Sequence, residues 1–129
     1  MDEIGVLIVD DDPNILKLAM SFLEREGMRV QCATNGEEAL RMVKEKAFSL
    51  MITDLHMPGM KGIELAARVR EVAPEMPIFM ITGDASGDIL NLARKAGILK
   101  IFAKPLCFKE IMKTARGTIE ERNGRHGPG

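Results

Sequence analysis

Four stretches of this chain are unbroken apolar runs. They are Val6-Leu7-Ile8-Val9, Leu50-Met51-Ile52, Ile78-Phe79-Met80-Ile81 and the shorter Ile101-Phe102-Ala103. A strand reads as a continuous apolar run when both of its faces are buried. Val30-Gln31-Cys32-Ala33 alternates more, which suits an edge strand. Each of the five stretches is followed by a segment with helical periodicity. The expected apolar stripes are Ile15, Leu18, Ala19, Phe22 and Leu23, then Ala39, Leu40 and Val43. A third runs along Ile63, Ala66, Ala67 and Arg70, a fourth along Ile89, Leu90, Ala93 and Ala96, and a fifth along Phe108, Ile111, Met112, Ala115 and Ile119. Five strand-then-helix repeats imply an α/β fold, with a parallel sheet covered by helices on both faces.

The punctuation agrees with this alternation. Asp12-Pro13 supplies a capping carboxylate and a proline for the first helical turn. Gly27 and Gly97 stand where the first and fourth helices should end. Pro74 and Pro77 stop the third. The segment 123–129, Asn-Gly-Arg-His-Gly-Pro-Gly, is expected to be a disordered tail or linker stub after a single domain over 1–122.

Composition removes several function classes. A chain of 129 residues suits one domain, and it can bury a core without staples. Lys plus Arg number 18 and Asp plus Glu 19, a net charge of −1. That is no footprint for direct nucleic-acid binding through phosphates, and with neither Trp nor Tyr a base-stacking platform is not expected. Cys32 and Cys107 form no CxxC pair and are expected to be inert, at least half-buried thiols; with two histidines, a zinc site is improbable. No apolar run approaches a membrane span. The acidic start Met1-Asp2-Glu3 is unlike a signal peptide, so a cytoplasmic location is expected.

In an open parallel sheet, ligands bind beyond the carboxyl ends of the strands. Asp10, Asp11 and Asp12 follow the first apolar run and Thr53-Asp54 the third. Thr82-Gly83 follows the fourth and Lys104-Pro105 the fifth, while the second ends in a turn, Thr34-Asn35-Gly36. Carboxylates, a hydroxyl and an ammonium thus converge on one rim, the parts needed to handle a phosphoryl group. Two or three carboxylates can hold Mg²⁺, and a hydroxyl and an ammonium can hold phosphoryl oxygens. Without a cation the acids repel, at about 4 kcal/mol for unit charges 4 Å apart at an effective dielectric near 20. Each piece has a plain structural alternative, since Asp is a common turn former and Asp12 serves as a helix cap. Convergence is what favours a site.

The stretches VLIVDDDPNI at 6–15, MITDLHMPGMKGIEL at 51–65, IFMITGDA at 78–85 and KIFAKPL at 100–106 resemble the receiver domain of two-component response regulators. The resemblance covers roughly residues 4 to 120. It implies a flavodoxin-like (βα)5 fold with strand order 2-1-3-4-5. It implies a phosphorylation-activated signalling switch, not a conventional enzyme. Asp54 would be the phosphoacceptor. Asp10, Asp11, Asp54 and the backbone carbonyl of His56 would hold Mg²⁺, with Mn²⁺ as a substitute. Thr82 and Lys104 would hold the phosphoryl group, and Thr82 and Ile101 would form the switch. A cis peptide is expected at Lys104-Pro105. The implied partners are a sensor histidine kinase or phosphotransfer protein as donor, and an output partner or effector domain. The output would meet the face made by the fourth helix, fifth strand and fifth helix. A phosphorylation-linked homodimer is one assembly the family allows.

Two departures stand out. Ile101 occupies a position where many receivers carry Tyr or Phe, and Lys61 one where an acid is common. Two other readings share the residues. Asp10-x-Asp12 superficially resembles the nucleophile motif of haloacid dehalogenase-type phosphohydrolases, which would put phosphate on Asp10. An unphosphorylated adaptor would keep the fold without the chemistry.

Overall fold

The computed structural model describes residues 5–84 and 86–125, with side chains through 122. Five strands alternate with five helices: β1 (Gly5–Val9), α1 (Pro13–Arg25), β2 (Arg29–Ala33), α2 (Gly36–Glu45), β3 (Leu50–Asp54), α3 (Gly62–Val72), β4 (Ile78–Thr82), α4 (Gly87–Lys95), β5 (Lys100–Ala103) and α5 (Phe108–Arg125). The strands form one parallel sheet in the order β2-β1-β3-β4-β5, so the alternating strand β2 is indeed an edge.

The unbroken apolar runs divide by parity between two cores. Val6 and Ile8 of β1, with Leu50 and Ile52 of β3, face α1 and α5, where Leu16, Ala19, Leu23, Ile111, Met112, Ala115 and Ile119 close over them. Leu7, Val9 and Met51 face the other way, against Ala39 and Val43 of α2, Leu65, Ala66 and Val69 of α3, and Ala93 of α4. Burial of both faces is why the strands carry no alternation.

The helix caps follow the local chemistry. Asp12 Oδ1 accepts the Asn14 N–H at 2.9 Å, with Pro13 in the first turn. Asn35 Oδ1 accepts from Glu38 N at 2.8 Å, and Glu38 Oε1 reaches back to Thr34 N at 2.7 Å, a reciprocal arrangement that satisfies two free donors. Gly97 follows α4 at φ +91°, a backbone setting that a side chain would strain.

Several expected stripes are rotated. In α1 Leu16 joins Ala19 and Leu23 in the core, and Leu18 is exposed. In α3, Leu65 and Val69 face the core, while Ala67 and Arg70 are exposed. In α4, Leu90 is exposed, while Ala93 and Ala96 are buried as the stripe required. Cys107 is exposed, contrary to expectation. Its carbonyl accepts from Glu110 and Ile111 N–H groups, which places it where the chain turns into α5 and away from the sheet. Cys32 is half-buried, and burial pushes its thiol pKa up. The segment 123–129 also needs correction. α5 continues through Asn123, Gly124 and Arg125, because each residue added to an existing helix gains a hydrogen bond without a new nucleation step. Residues 126–129 lie outside the described part. Among the described residues, no helix is long and apolar enough to cross a membrane.

Candidate functional site

The rim at the carboxyl ends of β1, β3, β4 and β5 carries the acids and the amine. Asp10 directly follows β1 and is held there by its N–H, which donates to Ala33 O at 3.1 Å. Asp54 is the last residue of β3, inside the sheet and opposite Ile81 of β4. Both side chains are buried, at 3% and 5% exposure, whereas Asp11 is exposed. Carboxylate oxygens of Asp10, Asp11 and Asp54 lie within 4.8 Å of one another. Lys104, beyond the end of β5, brings its Nζ to 3.3 Å from Asp54 Oδ1. That oxygen also accepts the Leu55 N–H at 3.0 Å. The Lys104-Pro105 peptide is cis.

The electrostatics of this cluster are unfavourable for the bare protein. Asp10 is pushed up from 3.8 to about 6, first by burial; the charges of Asp54 and Asp11 act in the same direction. The Asp12 N–H, donating to Asp10 Oδ1 at 2.9 Å, and the Lys104 ammonium partly offset this. A divalent cation would remove the opposition, and three convergent hard oxygen donors are what Mg²⁺ takes from a protein while keeping waters of its own. The residues present therefore fit such an ion.

Thr82 ends β4, fully buried, in register with Ala103 of β5. Its hydroxyl is turned to the next loop. Oγ1 accepts the Asp84 N–H at 2.9 Å and donates to Asp84 O at 3.1 Å. Ile101 lies in β5 opposite Met80, half-buried against the core shared by α2, α3 and α4. His56 is exposed in the loop after β3. Asp12 is exposed and caps α1. Met112 lies buried in the core.

The sequence pattern left one residue unmarked. Gly62 opens α3 directly behind Asp54: a β-carbon there would overlap the Asp54 carbonyl oxygen and stand 3.1 Å from Leu55 Cα. Its N–H donates to Leu55 O at 2.9 Å. The glycine that follows Pro58-Gly59 in the same motif was the available signal.

A doubly wound parallel sheet with three acids, a threonine and a lysine at its carboxyl rim defines a phosphorylation-controlled signalling switch. The response regulator receiver domain family matches residues 6–116, and the chain belongs to that family. It is 34% identical over 113 residues to the transcriptional regulatory protein ZraR of Klebsiella oxytoca, a match covering 88% of this chain and 26% of that protein. The chain thus spans about a quarter of the length of that regulator. The crystal structure of a CheY-like receiver domain protein from Methanospirillum hungatei superposes with a TM-score of 0.92 at 29% identity, covering 96% of this chain and 99% of that one. A response regulator from Burkholderia pseudomallei, crystallised with a phosphorylated aspartic acid and a calcium ion, superposes at 0.83 with 28% identity, covering 98% and 74%. Receiver domains are switches and not conventional enzymes. The haloacid dehalogenase reading finds no support, since Asp12 of its motif is engaged as a helix cap.

Proposed function

We propose that Asp54 is the phosphoacceptor of this receiver domain, which we assign to residues 1–122. The observation that carries this is the buried Asp54 carboxylate, with Asp10 and Asp11 oxygens within 4.8 Å and Lys104 Nζ at 3.3 Å. Asp10, Asp11, Asp54 and the backbone carbonyl of His56 would hold Mg²⁺ or Mn²⁺. When bound, the ion supplies positive charge to neutralise phosphoryl oxygens.

The residues supply the rest. Asp54 needs no general base, because the attacking atom is a carboxylate oxygen and no hydroxyl proton has to be removed. One of its oxygens forms a bond to phosphorus while the P–N bond of a phosphohistidine breaks. The imidazole leaves with the electron pair and takes a proton from solvent. Lys104 holds Asp54 before transfer and a phosphoryl oxygen afterwards. Thr82 then donates its hydroxyl proton to another phosphoryl oxygen, and Ile101 repacks into the space released. The output face is α4, β5 and α5. The donor is a histidine kinase or phosphotransfer protein in the cytoplasm, and the receiver of the signal is an output partner or effector domain. Coupling of about 1–3 kcal/mol is the usual scale.

The test is to incubate the protein with Mg²⁺ and acetyl phosphate or phosphoramidate and map labile phosphate by mass spectrometry. Label on Asp54 that disappears in Asp54→Asn is expected. Label on Asp10 would restore the hydrolase reading, and no label with either donor would leave an adaptor.

A further inference from the structure

The second strand is the one whose end brings no reactive group to the rim. The turn that follows it, Thr34-Asn35-Gly36, is nevertheless firmly built. Asn35 Oδ1 caps α2 through Glu38 N, and Glu38 Oε1 accepts from Thr34 N and, at 3.3 Å, from Thr34 Oγ1. Gly36 opens the helix and is buried, with Ala39 fully buried one turn on. The glycine is not demanded by backbone angles: among the described residues the positive-φ glycines are Gly27, Gly59 and Gly97. It is demanded by Met60. A β-carbon on Gly36 would stand 2.9 Å from both Met60 Cβ and Met60 Sδ, and 3.1 Å from Met60 Cγ.

Met60 belongs to the loop from Leu55 to Lys61, which joins β3 to α3 and includes His56. Among the described residues, the main-chain hydrogen bonds of this loop lie at its ends. Leu55 N donates to Ile81 O at 3.1 Å, Gly62 N to Leu55 O at 2.9 Å, and Leu65 N to Lys61 O at 2.9 Å. Between those ends, side chains hold the loop. Met57 is buried in the core shared by α2, α3 and α4, and Met60 is half-buried against the same core, lying along Gly36. His56, Pro58 and Gly59 are exposed.

We propose that Met60 and Gly36 are positioning residues for the cation site: the β2–α2 turn is the stop on which this loop rests, and the stop sets the His56 carbonyl. The proposal rests on the reading of the rim as a Mg²⁺ site that uses that carbonyl. A methyl group on Gly36 must move Met60 Cβ from 2.9 Å to at least an ordinary 3.4 Å. Side-chain rotation clears Sδ and Cγ but leaves Cβ, which is bonded directly to the main chain. The turn does not yield, because its reciprocal cap and the buried Ala39 hold it. The loop yields instead, since Pro58, Gly59 and Lys61 lie at the surface. Close-packed interiors pass such a displacement on, and His56 sits beside Met57 in the same short loop. Mg²⁺ demands near-ideal octahedral geometry at about 2.0–2.1 Å, so a shift of one oxygen is felt as lost affinity.

The test is a Mg²⁺ titration of the whole chain without phosphodonor, followed by NMR shifts of the Asp54 to Met57 and Met60 amides. Gly36→Ala is expected to raise the half-saturating Mg²⁺ concentration roughly three- to tenfold, short of the roughly ten- to hundredfold that loss of a ligand's own hydrogen-bond partner costs. Without metal, its His56, Met57 and Met60 amides should already be shifted, with those of β1 unmoved. Met60→Ala removes the stop from the loop side and should raise half-saturation about two- to threefold; it carries the test alone where Gly36→Ala does not fold. Together the two changes should be less than additive, because they act on one contact. Asn35→Ala controls for lost stability: it should lower the melting temperature as a lost cap does and keep wild-type half-saturation. Wild-type half-saturation in folded Gly36→Ala and Met60→Ala, strict additivity of the pair, or an equal rise in Asn35→Ala would overturn the stop. Failure of the underlying reading looks different. Wild type would then give no saturable Mg²⁺ response, while the metal-free shifts would still report whether Gly36 sets the loop.

Discussion

Gly62 and Asp54 are in contact through their main chains: the bare α-carbon of Gly62 packs where a β-carbon would overlap the Asp54 carbonyl oxygen. The start of α3 is thereby seated against the strand end that presents the Asp54 carboxylate. Gly62→Ala must push the two apart. A loss of about 1–3 kcal/mol in urea unfolding is expected, the usual effect of overpacking a tight site. Slower labelling of Asp54 by acetyl phosphate should accompany it. Wild-type stability and labelling rate in this variant would show that the contact relaxes freely.

Asp10 makes the metal-free protein less stable at neutral pH. Its pKa is about 6 in the folded chain against 3.8 when unperturbed. Between those values the native state holds a proton that the unfolded state has lost, so the Asp10 contribution falls as pH rises. It is fully present below about 3.8 and gone above about 6. Two units correspond to roughly 3 kcal/mol; solvent at the rim screens part of this, leaving about 1–2 kcal/mol. Asp10→Asn keeps an acceptor for the Asp12 N–H and should match wild type near pH 4. It should exceed wild-type stability by that amount at pH 7–8 in EDTA. Equal stabilities across the whole range would contradict the electrostatic account.

Divalent cation should reverse that ranking. Mg²⁺ binding only to the folded state stabilises by about 2.7 kcal/mol at a concentration one hundred times its Kd. The melting temperature of wild type should climb with Mg²⁺ and fall back on chelation. In Asp10→Asn the climb should be strongly reduced. Equal Mg²⁺ responses in the two proteins would remove Asp10 from the metal site.

Lys104→Ala separates holding the cation from transmitting the signal. The lysine is paired with Asp54 but is itself 41% exposed, so its loss should alter stability by less than about 1 kcal/mol. Mg²⁺ affinity should stay within about threefold, on the tighter side, since an ammonium no longer competes for Asp54. The structural change on phosphorylation, followed by NMR shifts in α4 and β5, should be weakened. Full-size shifts in this variant would defeat the role given to Lys104.

Much of this protein is legible from its residues alone. The unbroken apolar runs of β1, β3 and β4 mean strands buried on two sides, and the alternating run from Val30 to Ala33 means an edge, because pleating sends successive side chains to opposite faces; the run Ile101-Phe102-Ala103 did not follow, since β5 is the other edge and none of its residues is fully buried. Asp12-Pro13 starts a helix for reasons local to a single turn. The motif residues Asp10, Asp11, Asp54 and Lys104 are likewise visible as strand-end groups.

Other features were decided only in three dimensions. A run such as Val6 to Val9 has no period, so nothing in it says which residues face α1 and α5 and which face α2 to α4. Where apolar residues crowd a helix, as Ile15, Leu16, Leu18 and Ala19 do, several stripes fit equally well; packing against the sheet chose Leu16 over Leu18. The need for glycine at 62 arises from β3, eight residues earlier in the chain. The Thr82 hydroxyl turned to Asp84, and Arg70 laid over Gly97, depend on where two loops and two helices come to rest. Local chemistry sets periodicity and caps within a few residues, whereas burial and close approach are properties of partners that meet only once the sheet has closed.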